Sequence, residues 1–167
     1  MTFDWTLYFC LFLALWSALV GGVFKAFSEF IMAGLLRAEP AAGIESMQWI
    51  NRTVLRTEFV AALMSIALFS VLFAIYALFV FEGPGQVAIL IAAFIYVPCV
   101  FLMTMFGNVP MNNRLAKLDH RSDEAAIYWK DYGKQWTRLN HIRTLGSIFT
   151  SGLYLIAAIT LINAGLV

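Results

Sequence analysis

Trp129, Tyr132, Trp136, Asn140 and Arg143 follow one another at steps of three, four, four and three residues, so a helix through them carries all five on one face. A stripe facing lipid would be aliphatic, and one facing water would be charged. Large aromatics followed by an amide and a guanidinium suit the wall of a pocket for a flat, partly polar ligand. The same aromatic types also anchor helices at a membrane interface. Pattern alone leaves both readings standing.

Other polar side chains gather at the same level of the chain. Lys25, Ser28 and Glu29 close the first apolar run, Gln48 and Asn51 precede the second, and Asn108, Asn112 and Asn113 close the third. Amides at that depth need partners, which favours a pocket over simple anchors. Lys25 and Glu29 stand four apart and can pair on one helix. They read either as a structural pair or as a polar rim on the pocket, with Glu29 as a proton acceptor. His141 adjoins the stripe and is the other candidate base, or else an exposed interface residue. A general base has to come within about 2.6–3.2 Å of its proton.

The elements that position these groups follow from composition. The chain has 167 residues, 62% of them hydrophobic, and a mean hydropathy of +0.81. Those values exclude an ordinary soluble domain. Four apolar runs, about 5–34, 59–81, 86–107 and 144–167, are each long enough to cross a bilayer core of about 30 Å. The expected fold is therefore all-α: one integral membrane domain, residues 1–167, built as a four-helix bundle with helical extensions before spans 2 and 4. "MTFDW" has no basic segment, so the first run reads as a retained span.

Charge sets the expected orientation. Of eleven Lys and Arg residues, ten lie in the two segments after spans 1 and 3, and the eleventh is Lys25. The positive-inside rule puts both segments in the cytoplasm and both termini outside, in a multi-pass inner membrane protein. A net charge of +1 gives no reason to expect a nucleic-acid partner. Cys10 and Cys99 fall in different spans without metal-ligand spacing and read as small buried apolar residues.

Local signals fill in the rest. "EGPG" at 82–85 reads as a tight turn that makes spans 2 and 3 a hairpin. Pro40 suits a first helical turn, and from 41 to 58 the pattern reads as helix running into span 2, with Ile44, Gln48, Asn51, Leu55 and Glu58 on one face. Ser122 followed by Asp123 and Glu124 reads as the start of the last helix. Ala14, Ala18, Gly21 and Gly22 suit close helix contact in span 1. Pro98 is expected to kink span 3.

Several of these segments together resemble a known family. "FSEFIMAGL", "MQWIN", "NVPMNNRLA" and "WKDYGKQWTRLNHIRT", in that order and over nearly the whole chain, are similar to the DUF1772 family of anthrone oxygenase-like small membrane proteins. Gln48, Asn51, Asn108, Asn112, Trp129, Trp136, Asn140 and Arg143 are the positions that carry over, whereas Lys25 and Glu29 depart from the family pattern. The resemblance implies a cofactor-independent oxygenase, with no metal, acting on a hydrophobic phenolic substrate. Aromatic walls would hold the ring plane, while amide donors and Arg143 would stabilise an oxyanion. Catalysis would then fall to His141, Glu29, Asn108 and Arg143. Binding would fall to Gln48, Asn51, Asn112, Trp129, Tyr132, Trp136, Asn140, Lys25 and Ser28.

The alternative is a non-catalytic membrane module that binds a lipid, an aromatic metabolite or a partner helix. Both readings expect a hydrophobic small molecule or lipid as partner, within the bilayer, and both are compatible with a homo-oligomer. A transporter fits less well, because no pair of interrupted helices recurs in matching halves.

Overall fold

Runs this apolar satisfy their backbone groups in lipid only by closing helices, and five helices carry most of the chain. A computed structural model describes residues 5–165. We number the helices α1 (Trp5–Arg37), α2 (Pro40–Val54), α3 (Glu58–Phe79), α4 (Gln86–Leu115) and α5 (Asp123–Asn163). All but α2 are long and apolar enough to cross a membrane. At 41 residues α5 is about 60 Å long, twice a bilayer core, so its first half projects beyond the membrane as the expected extension. Its start is the expected one: Ser122 Oγ accepts from the Ala125 N–H at 3.1 Å. The expected end of span 4 at residue 167 lies outside the described residues.

The four long helices form a ring in which α5 packs against α1 and α4, and α3 closes the circuit between them. Between helices in lipid there is little hydrophobic driving force, so close backbone approach matters more. A Cβ on Gly21 would meet Ser147 Cβ at 3.0 Å, and Ser151 Oγ donates to the Ala14 carbonyl at 2.9 Å. Ala18 and Gly22, expected on that face, point away: Ala18 is exposed and Gly22 has open space around it. The hairpin between α3 and α4 turns through Gly85 at φ +94°, a left-handed conformation that favours glycine.

One expectation needs correction. The helix after Pro40 does not run into span 2. It stops at Val54, and Leu55–Thr57 form a turn in which Thr57 Oγ1 donates to the Val54 carbonyl at 2.7 Å. The same carbonyl accepts the Thr57 backbone N–H at 3.1 Å, so the turn closes the helix end, and Thr57 is extended as α3 begins. Ile44, Gln48 and Asn51 keep their common face, but Leu55 and Glu58 are exposed and leave it. At Pro98 the chain responds by widening: Val97–Asn108 is π-helical within α4. A shorter π-helical stretch, Phe27–Ile31, interrupts α1. Both stretches pack against α5.

Two cores result. One fills the membrane part of the bundle around Leu13, Phe73, Tyr96 and Tyr154. The other, around Met32, Met47, Trp129 and Tyr132, joins α2 to the projecting half of α5. Water drives the second, where a fully buried large apolar side chain contributes about 1.5–3 kcal/mol.

The register between α1 and α5 fixes the level of Lys25 and Glu29 along α5. Asn140 reaches the Phe24 carbonyl, so Lys25 lies level with Asn140, just beyond the apolar stretch that starts at Thr144. The two charges pair with each other and are each more than half exposed, 54% and 56%. At this register they lie beyond the apolar stretch of α5.

Candidate functional site

The α5 stripe forms a continuous stack. Trp129 and Tyr132 lie with ring centroids 5.4 Å apart and planes at 17°. Tyr132 and Trp136 follow at 6.3 Å and 25°. Asn112 of α4 holds the stack in place, its Oδ1 accepting from the Tyr132 hydroxyl at 2.8 Å and from Trp136 Nε1 at 2.9 Å. Asn108 Nδ2 donates to the Trp136 carbonyl at 3.2 Å. Gln48 acts as a strut, donating to the Leu115 and Leu118 carbonyls at 2.9 Å each and closing the end of α4. Trp129 packs on the bare backbone of Gly43 in α2.

One turn further along α5 the chemistry changes. Asn140 is fully buried, donating to the Phe24 carbonyl at 2.6 Å and to Ser28 Oγ at 2.7 Å. Its Oδ1 accepts from Arg143 Nη2 at 2.6 Å. The Arg143 guanidinium lies 4.3 Å from the Phe24 ring centroid and 5.1 Å from that of Trp136. Nη1 reaches Thr104 Oγ1 at 3.4 Å, and Nε is buried without a partner. Arg143 is only 5% exposed, and no carboxylate pairs with it among the described residues. A buried cation without a counter-ion is costly and is normally paired.

Arg143 forms part of the wall of a cavity of about 240 Å³ at the junction of the two cores. Phe24, Phe27, Phe59 and Trp136 supply aromatic walls, and Thr104, Asn51, Asn112 and Arg143 supply polar groups. Asn51 Nδ2 is buried near the Tyr132 hydroxyl, which itself donates to Asn112. Among the described residues, Arg52 and Arg143 are the ionisable side chains of the lining, which is electropositive and has no carboxylate or imidazole. Its mixture of apolar walls with a few polar groups is that of a small-molecule site. The volume suits a compact ligand.

The structure thus brings Asn51, Asn112, Trp136 and Arg143 to the cavity. It places Asn140, Ser28, Asn108 and Tyr132 one step behind, as groups that hold the lining. Trp129 and Gln48 tie α2, α4 and α5 together farther out. Lys25, Glu29 and His141 are not among the lining residues; His141 borders an open groove on the outer face of α5. Sequence reasoning did not single out Thr104, Phe24 or Phe59. The one available signal was Phe24, four residues before Ser28 and so on its face. Among the described residues no three His, Cys, Asp or Glu side chains group as metal ligands.

The sequence profile of the anthrone oxygenase family matches residues 52–153. That region contains Thr104, Asn108, Asn112, the aromatic stack, Asn140 and Arg143. It leaves out α1 and the Gln48–Asn51 stretch, so the profile covers less of the chain than the sequence resemblance does. No curated protein and no solved structure matches the chain. With its matched region spanning well over half of its length, the chain belongs to the anthrone oxygenase family.

Proposed function

We propose that this protein is a multi-pass membrane enzyme that uses O₂ to oxidise a flat, hydrophobic phenolic ketone of the anthrone type, held as its enolate beside Arg143. One observation carries the reading: a buried guanidinium with no acidic partner forms the wall of an aromatic-lined cavity. An enolate brings the missing negative charge on a planar ring system. Preorganised donors at a developing oxyanion act most strongly when they are fixed away from bulk water, as the buried Arg143 is. Arg143 and the Asn51 amide are those donors here.

The chemistry balances without any group beyond substrate and O₂. The benzylic CH₂ loses a proton, and the resulting carbanionic carbon bonds to O₂ to give a peroxide. The peroxide takes up a proton and then loses water, leaving a carbonyl where the CH₂ stood. One oxygen atom enters the product and the other leaves as water. With no carboxylate or imidazole in the lining, the first proton goes to water, and Arg143 makes that loss easier by stabilising the enolate. The basic segments after α1 and α4 lie in the cytoplasm in this reading, with both termini outside and the cavity at the cytoplasmic rim.

The test is O₂ uptake by purified, chelator-treated protein given an anthrone. One O₂ consumed per substrate, lost in Arg143→Ala at unchanged helicity, is the expected result. The lack of a lining base favours a second reading, a module that binds a phenolate without turning it over. Saturable quenching of tryptophan fluorescence with no O₂ uptake would select that reading and dismiss the first.

A further inference from the structure

Opposite the cavity, α5 carries a second feature that the oxygenase reading does not use. Lys130, Lys134, Arg138 and His141 recur at four, four and three residues on its outer face and are all exposed. They border an open groove of about 420 Å³ with no carboxylate in its lining. Gly133 lets Leu36 of α1 lie against α5 and form the groove's other wall: a Cβ there would meet Leu36 Cδ2 at 2.6 Å. Between the basic residues, Thr137 contributes a hydroxyl that is buried without a hydrogen-bond partner.

The same face changes character at Thr144. Leu145, Ile148 and Phe149 continue it at helical spacing, 55%, 46% and 60% exposed. His141 and Arg138 lie about 5 and 9 Å outside the start of that apolar stretch, at 1.5 Å per residue. That is the level of the headgroup layer, which adds roughly 5–8 Å to each side of the hydrocarbon core. Lys134 and Lys130 stand farther out and can lean back towards it.

We infer that this groove binds the phosphate headgroup of an anionic phospholipid, whose acyl chain runs along Leu145 and Phe149. Charge complementarity supplies the head and the apolar continuation supplies the tail. A soluble anion would make no use of the second part. Basic pockets beside membrane helices recognise anionic lipids through this combination of guanidinium and ammonium donors.

The purified full chain, in nanodiscs of phosphatidylcholine with a minor fraction of phosphatidylglycerol, tests the assignment. After transfer to mild detergent, mass spectrometry of the retained lipid reads the ratio. Several-fold enrichment of phosphatidylglycerol is expected, falling to the bulk ratio in Lys134→Gln/Arg138→Gln. The matched charge removal Lys117→Gln/Arg121→Gln should leave it unchanged, and the charge-retaining Lys134→Arg should keep it in a chain of equal helicity. Absence of enrichment in the wild type, or an equal fall in the matched control, overturns the site. Displacement of the lipid by excess inorganic phosphate overturns the lipid in favour of a free-anion site. O₂ uptake plays no part in the readout, so the outcome is independent of the oxygenase reading.

Discussion

Asn140 accepts the Arg143 Nη2–H on its Oδ1 at 2.6 Å while its own Nδ2 is committed to the Phe24 carbonyl at 2.6 Å. A neutral amide thus fixes the guanidinium in place without cancelling its charge. An aspartate at 140 would neutralise Arg143 and lose the donor to Phe24. Among the described residues the cation at the cavity wall has no internal counter-ion.

The first prediction separates stability from activity at Arg143. Arg143→Met removes a buried charge that has no acidic partner, and replacing such charges by apolar groups is often neutral or stabilising. The melting temperature in detergent is expected to hold or rise. Turnover should fall by about 10²–10³, the usual effect of removing one oxyanion donor. A large loss of stability would mean that Arg143 is mainly a structural clamp.

Asn140 should behave in the opposite way. Asn140→Ala takes a partner from the Phe24 carbonyl and from Arg143 Nη2 and leaves Ser28 Oγ only its 3.4 Å contact with Thr144 Oγ1, at a cost of about 2–4 kcal/mol. Asn140→Asp should retain most helicity but weaken binding of any anionic ligand, because Arg143 then has an internal counter-ion. Thermal melts and ligand titration of the two variants check this.

Glu29→Gln and His141→Gln address the two residues that sequence put forward as bases. Neither residue lines the cavity, so each variant should keep turnover within about twofold, the range of an ordinary surface change. A hundredfold loss in either would return that residue to the reaction.

Gly21 and Gly22 are neighbours with different surroundings. Gly21→Leu drives a side chain into Ser147 and should cost about 1–3 kcal/mol. Gly22→Ala meets nothing within 4 Å and should stabilise by about 0.5–1 kcal/mol through the lower helix cost of alanine. Unfolding in detergent measures both.

Much of this arrangement was legible because two signals are strong. Apolar length gave the four spans, and the three-four period gave the α5 stripe. The same period already separates His141 from Arg143: two residues on a helix are about 200° apart, so an inward Arg143 turns His141 outward. Lys25 and Glu29 likewise sit about 100° round from Phe24 and Ser28, which is why only the latter pair reaches Asn140. The break at Leu55–Thr57 was not legible, since no Gly or Pro marks a turn made by local backbone bonds and one threonine hydroxyl. Thr104 escaped for a different reason. It lies within a π-helical stretch, where counting at 100° per residue assigns faces wrongly.

That widened stretch of α4 has a consequence for how the chain tolerates length changes. Val97–Asn108 holds its turns looser than the flanking helix, and Asn112 takes its bearing from them. Deleting a single residue there would leave ample hydrophobic length to cross the bilayer, yet swing everything downstream by about 100°. The carbonyl that receives both Tyr132 and Trp136 would then face away from them. Insertions and deletions in this segment are therefore constrained by rotational phase and hardly at all by length.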